Sequence, residues 1–253
     1  MTVVTIGAER RIVYLWPAQA AYLGPPFHLD RHATPVHCLA LGVDAPFTVS
    51  TAEGSWQRRS ALIPARTVHK VEAGVGRMLF YYLDPRSRDA VDVRVRMNED
   101  LGTITTTHRD EPALLDYIHH ADTIEADQLR RIVVGDSRSG FPDPRIRTAM
   151  ESILAEPARD LDAATLAAAA GLSTSRFLHL FSTNAGTSFR RFRLWARLLH
   201  LAAALAEDAC LTDAAADAGF ASASHFSDTF RAMFGLTATT VLKQGTEIVV
   251  IRK

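Results

Sequence analysis

Two related blocks about 48 residues apart occupy the last third of the chain, and this internal repeat limits the fold more than any other feature. The first runs LDAATLAAAAGLSTSRFLHLFSTNAG from Leu161 to Gly186, the second LTDAAADAGFASASHFSDTFRAMFG from Leu211 to Gly235. Each reads as a short Ala-rich helix stopped by a glycine (Gly171, Gly219), a turn, and a serine-initiated helix stopped by another glycine (Gly186, Gly235). Asp162 and Thr212 are the expected N-caps of the first helices, Ser173 and Ser222 of the second. The pairs Phe177/Phe181 and Phe226/Phe230 turn one face of each second helix into core and leave the opposite face free for a groove. This is the pattern of a helix-turn-helix.

Between the blocks, Ser188–Asp208 (SFRRFRLWARLLHLAAALAED) carries an apolar stripe of Phe189, Phe192, Trp195, Leu199, Ala202 and Leu205 at helical spacing, with Arg190, Arg191, Arg193 and Arg197 crowding its first half. A rigid helix here would hold two recognition helices at a fixed separation. To read successive major grooves on one face of DNA they should stand about one helical turn, roughly 34 Å, apart.

From about Leu161 to Leu242 the chain resembles the DNA-binding domain of the AraC/XylS family, on the run AGLSTSRFLHLF…GTSFRRFRLWARL…LTDAAADAGFASASHFSDTFRAMFG. The spacing GF-x4-HF-x3-FR-x2-FG in the second block is the more specific part. The resemblance implies that the exposed face of each second helix contacts bases. The matching positions are Ser175, Arg176, Leu178 and His179 in the first block, and Ala223, Ser224, His225 and Asp228 in the second. Of these, Ser175, Arg176, His179, Ser224 and His225 are the expected base readers. Arg, Lys, Asn and Gln are the usual bidentate readers of base edges, and the set holds one Arg. Asp228 is repulsive to phosphate, so the first block is expected to read bases and the second mainly to position. Phosphate contacts are expected from Arg190, Arg193, Arg197 and the helix starts at Ser173 and Ser222.

Charge does not advertise this partner. The 253-residue chain has 28 basic and 28 acidic side chains, so attraction to DNA must come from local placement. Cys38 and Cys210 match no metal spacing or redox pair and read as reduced thiols. The N-terminus lacks the apolar run of a signal peptide and no stretch approaches the roughly 20 apolar residues of a membrane span. A cytoplasmic protein without a membrane partner is expected.

The first part of the chain has strand character. Val3–Ile6, Arg11–Leu15, Val36–Leu41, Phe47–Ser50, Ser60–Ile63 and Met78–Leu83 are short apolar runs separated by Gly, Pro and Asp signals. Helical spacing follows at Asp110–Ala121 and Thr123–Val134, then a polar break at Gly135–Pro144. The expected fold is α+β with two domains: an N-terminal cupin-like β-barrel, and a C-terminal all-α domain whose two helix-turn-helix motifs are joined by a long helix. The expected divisions are an effector barrel at residues 1–105, a helical linker and dimerisation region at 106–144, and a DNA-binding domain at 145–253.

The strand-rich half resembles the cupin-like effector domain often fused to this DNA-binding domain. The run Pro64–His69 is similar to the second cupin motif, with Arg66 where that motif has Gly. A small-molecule pocket edged by His28, His32, His37, Trp56, His69 and Tyr81 is expected. An acidic ligand is missing from the histidine set, so no metal and no cofactor is assigned. Nothing reads as a nucleophile with its base, so no enzyme activity is expected. The expected function is sequence-specific transcription regulation under a small-molecule effector. The expected partners are double-stranded DNA, the effector, a second copy of the chain and RNA polymerase. Two alternatives stand beside it: a metal-dependent cupin enzyme with a retained helical module, and a regulator acting mainly through protein partners.

Overall fold

The structure is a computed structural model that describes residues 10–16, 19–27, 29–85, 87–121, 123–136, 143–234, 237–243 and 245–251. The run Val3–Ile6 and the residues His28 and Gly235 lie outside them. The strands are β1 (Ile12–Trp16), β2 (Gln19–Gly24), β3 (His37–Gly42), β4 (Phe47–Ser50), β5 (Ser55–Arg58), β6 (Ser60–Ile63), β7 (Lys70–Ala73), β8 (Met78–Leu83), β9 (Met97–Asp100), β10 (Thr105–His108) and β11 (Glu247–Val250). The helices are α1 (Arg88–Val95), α2 (Glu111–His120), α3 (Ala126–Val134), α4 (Pro144–Ala155), α5 (Ala163–Ala169), α6 (Thr174–Ala185), α7 (Phe189–Ala206), α8 (Leu211–Asp217), α9 (Ala223–Phe234) and α10 (Ala238–Lys243).

The strands form two sheets, one of eight strands in the order β11-β1-β2-β8-β3-β6-β10-β9 and one of three in the order β5-β4-β7. Side chains alternate across the large sheet, as the two-residue period requires. One face presents Ile12, Tyr14, Trp16, Leu39, Leu41, Leu79, Tyr81 and Leu83 to the helices α1, α2 and α3. The other face has two covers. Its β3–β6–β8 part buries Cys38, Ala40, Ala61, Ile63 and Met78 against Phe47 and Val49 of the small sheet. Its β1–β2 part buries Leu15 and Ala20 against Trp195, Leu198, Phe226, Phe234 and Val241 of the C-terminal helices.

The expected fold class holds in its strand-rich and helical halves, with one difference: the sheet is not closed into a barrel. The large sheet ends at β9 and β11, and helices occupy the part of its face where a closing strand layer would lie. The strand β11 was not expected. It follows the whole helical region yet pairs parallel with β1 in the register Ile12↔Glu247 to Leu15↔Val250.

In the helical half, α4, α5, α6 and the start of α7 enclose Ile146, Ile153, Leu166, Phe177, Phe181 and Phe192. These aromatic side chains, each stabilising by roughly 1.5–3 kcal/mol when buried, are the stripe that the sequence spacing indicated. The helices end and begin mostly as expected. Gly171, Gly186 and Gly219 have φ of 66°, 64° and 80°, the left-handed conformation that glycine adopts without a Cβ penalty. Asp162 accepts from the Thr165 amide at 2.7 Å, capping α5. Thr212 does not cap α8. The helix begins two residues earlier than that cap would give, at Leu211, and the Cys210 thiol takes the cap, accepting from the Asp213 amide at 3.4 Å.

Candidate nucleic-acid interface and ligand cavity

The two second helices are built alike. Ser173 Oγ accepts from the Arg176 amide at 3.3 Å and Ser222 Oγ from the His225 amide at 3.0 Å, so each serine satisfies an amide at the start of α6 or α9. Phe177 and Phe181 on α6, and Phe226 and Phe234 on α9, point into cores. On α6 this leaves Ser175, Arg176, Leu178 and His179 in solvent, with Leu178 39% exposed. On α9 it leaves Ser224, His225 and Asp228.

The two faces differ in what their side chains already do. Arg176 is exposed and has no ion-pair or side-chain hydrogen-bond partner among the described residues. The His179 ring is likewise exposed, and its carbonyl accepts from the Ser182 hydroxyl at 2.9 Å and the Thr183 hydroxyl at 3.0 Å. His225 is held locally: its Nδ1 accepts from the Ala221 amide at 3.4 Å and its ring packs edge-on to Phe220 at 5.7 Å. Arg190 on α7 is exposed. Arg193 instead donates to Asp160 at 2.9 Å and Arg197 to the Pro157 carbonyl at 3.3 Å, so these two brace α7 against the loop before α5.

Arg191, which the sequence reading left without a role, joins the two halves. Its Nη1 donates to Oδ1 of buried Asp84 at 2.8 Å and its Nη2 to the Pro35 carbonyl at 3.4 Å, while the Thr187 hydroxyl donates to the same carboxylate. A buried carboxylate just after a strand was the available signal. Its partner could not be found from spacing, because 107 residues separate the two.

The histidines expected around one pocket are divided between two places, apart from His28. His32 and His69 meet: each donates its amide to the other's carbonyl, at 3.0 and 2.9 Å, and their rings lie 4.6 Å apart. His37 sits at the start of β3, its Nδ1 accepting from the Ala65 amide at 2.8 Å. Burial lowers the His37 and His69 pKa below the ordinary imidazole value. Tyr81 points to the opposite face of the large sheet, where its buried hydroxyl donates to Gln19 at 2.6 Å. Trp56 packs among the strands of the small sheet. His32 and His69 line a cleft with Phe27, Leu29, Thr34, Cys38, Val71, Phe80 and Tyr82, of about 460 Å³ including its open mouth. Among the described residues, no three His, Cys, Asp or Glu side chains are grouped to hold a metal ion. Nor, among them, is any helix long and apolar enough to cross a membrane.

Residues 166–244 match a protein family described as a helix-turn-helix domain. No curated protein matches the chain. An apo form of ToxT from Vibrio cholerae is similar in fold, at 11% identity over 91% of this chain and 99% of that one, with a TM-score of 0.51. A ToxT structure with bound unsaturated fatty acid, from the same organism, aligns at 11% identity over 89% of this chain and 94% of that one, with a TM-score of 0.47. A transcriptional regulator with an AraC-type DNA-binding domain, from Chromobacterium violaceum, is 25% identical over 40% of this chain and 91% of that one, with a TM-score of 0.37. Two capped helix-turn-helix units on one long helix thus coincide with a family match over the same residues, and residues 166–244 are a helix-turn-helix domain.

Proposed function

We propose that this chain is a sequence-specific, DNA-binding transcription regulator whose hold on DNA is set by a small molecule bound in its strand-rich half. The observation that carries the reading is an asymmetry of cores. The first helix-turn-helix packs on its own helices, whereas the second completes its core with Leu15 and Ala20 of the large sheet. A ligand that favours one seating of the sheet against α9 therefore biases the second unit relative to the first, to the extent of its differential affinity.

Within this reading Ser175, Arg176 and His179 read bases, while Ser224 and His225 mainly position the second unit. Arg190 and the helix starts at Ser173 and Ser222 meet phosphate, with Arg193 and Arg197 available only where DNA displaces their present partners. The effector is held at His32 and His69. We retain the division into an effector unit at residues 1–105, a linker with α2 and α3 that pairs two copies about a two-fold axis, and a DNA-binding unit from residue 145. To that division β11 adds a return to the effector sheet. Cytoplasmic location, RNA polymerase as a partner and the lack of catalysis belong to the same proposal.

The test is selection of bound sequences from a random duplex pool, followed by a salt titration of the winners. Recovery of a consensus and a steep fall of affinity with salt are expected, because phosphate contacts release counterions. Failure to bind any duplex at about 50 mM salt, where such contacts are strong, would overturn the reading.

A further inference from the structure

The His32–His69 cleft does not end at its own walls. Phe27 and Tyr82 also line a second cavity, of about 420 Å³ including open space, with Val13, Leu15, Ala20, Phe230, Phe234 and Val241. That cavity in turn shares Val13, Leu15, Phe230, Phe234 and Val241 with a third, about 480 Å³ on the same measure, which reaches Leu205 and Ile248. The three follow the seam on the large sheet where cover by the small sheet gives way to cover by α7, α9 and α10. None of the residues lining any of the three carries a formal charge other than the titratable histidines.

Polarity is confined to one end, and its sign can be read from hydrogen bonding. Nδ1 of His32 lies 2.9 Å from the Asp30 carbonyl and Nδ1 of His69 lies 2.8 Å from the Thr67 carbonyl. A carbonyl oxygen only accepts, so both Nδ1 atoms carry the proton. In the neutral ring Nε2 is then a bare acceptor, and neither Nε2 has a partner among the described residues. Burial lowers the His69 pKa and so favours its neutral form. With the His69 Nε2 as an acceptor and no Lys or Arg in the lining, the end of the seam suits a group that donates hydrogen bonds and suits a carboxylate poorly.

We propose that this seam binds an elongated, uncharged ligand that places a hydroxyl, phenolic or aliphatic, between His32 and His69 and lays its apolar body between the sheet and α9. The inference deepens the ligand-controlled reading above and rests on it for the role of the occupant, not for the binding itself. The apolar body lies against Phe230 and Phe234, so the same ligand contacts both the sheet and the seat of the second helix-turn-helix.

Calorimetric titration of the full chain with 4-octylphenol, 4-octylbenzoate and octylbenzene tests it. The phenol should bind about tenfold tighter than octylbenzene, the return expected from one well-made hydrogen bond, and tighter than the benzoate. His32→Phe and His69→Phe should erase the phenol's advantage while leaving octylbenzene binding in place. Leu205→Trp, which fills the far end and spares the histidines, should weaken all three. Benzoate binding as tightly as the phenol, or no binding of any probe, overturns the inference. The duplex selection is scored separately. A chain that binds DNA but none of the probes refutes the ligand and leaves the regulator, whereas one that binds the phenol but no DNA refutes the regulator and leaves the ligand.

Discussion

At the scale of single residues, the recognition faces separate side chains that are available from side chains that are spent. Arg176 stands exposed on α6 without an ion-pair or side-chain hydrogen-bond partner among the described residues, while Arg190 stands exposed at the start of α7. Arg176→Ala should therefore cost about 1–3 kcal/mol of DNA affinity and relax preference at one base position, as loss of a bidentate reader does. Arg190→Ala should weaken all duplexes alike and lower the salt slope by about one. Selection and salt titration of the two variants separate these outcomes, and equal slopes would contradict the assignment. Arg66 shows both what the sequence disclosed and where it stopped. The resemblance to a motif with glycine at that position was legible, and the backbone there is left-handed, with φ of 68°. Which histidines meet was not legible, because His32 and His69 are joined by a bridge between two loops rather than by a strand pattern.

The elements were readable wherever a period ran long enough. Phe47–Ser50, Ser60–Ile63 and Met78–Leu83 are strands over the expected residues, and the helices of the repeat, α8 apart, start at their expected caps. β2, β5, β7, β9 and β10 were missed, as was β11. β2 is QAAYLG, buried on both faces and rich in alanine, while β5 is mostly polar and the alternation of β7 (KVEA) runs for only four residues. The two turn glycines, equal in sequence, differ in space. A Cβ on Gly219 would lie 2.9 Å from Ala158 Cα, whereas one on Gly171 would meet nothing within 4 Å. Gly171→Ala should cost about 1 kcal/mol, the left-handed penalty alone. Gly219→Ala should cost more, because the turn must also move off the loop between α4 and α5. Urea midpoints of the two variants check the order.

The whole molecule is tied together away from its helix-turn-helix faces. The Asp84–Arg191 contact joins the end of β8 to the start of α7. A double-mutant cycle of Asp84→Asn and Arg191→Gln should return a coupling of about 1–3 kcal/mol, in the range of buried, hydrogen-bonded charge pairs. A coupling near zero would mean that this ion pair does not help to hold the two halves together. Stability should also depend on pH. His37, His69 and His108 are all held below the ordinary value of 6.5, with burial the largest cause in each. The unfolded chain then takes up protons that the folded one refuses. Their contribution is complete above 6.5 and is lost as the pH falls below it and through the folded values. Asp44, held at about 2 chiefly by its hydrogen bond from Arg77, loses its share only below 3.8. Denaturation midpoints should thus be lower at about pH 5.5 than at about pH 7.5. His108→Asn should flatten the difference, since its imidazole sits buried between the Val133 carbonyl at 2.9 Å and the Asp110 amide at 3.1 Å.

The parallel pairing of β11 with β1 bears on how the molecule is made. A ribosome delivers β1 early and β11 only after all ten helices of the described chain. Through most of synthesis the β1 edge is therefore an unpaired template of amides and carbonyls, the kind of edge that captures other strands. The large sheet cannot reach its final width until the C-terminal helices exist. Severing the chain at the polar break near Pro144, the natural place to isolate a sensor, would leave that edge bare for good.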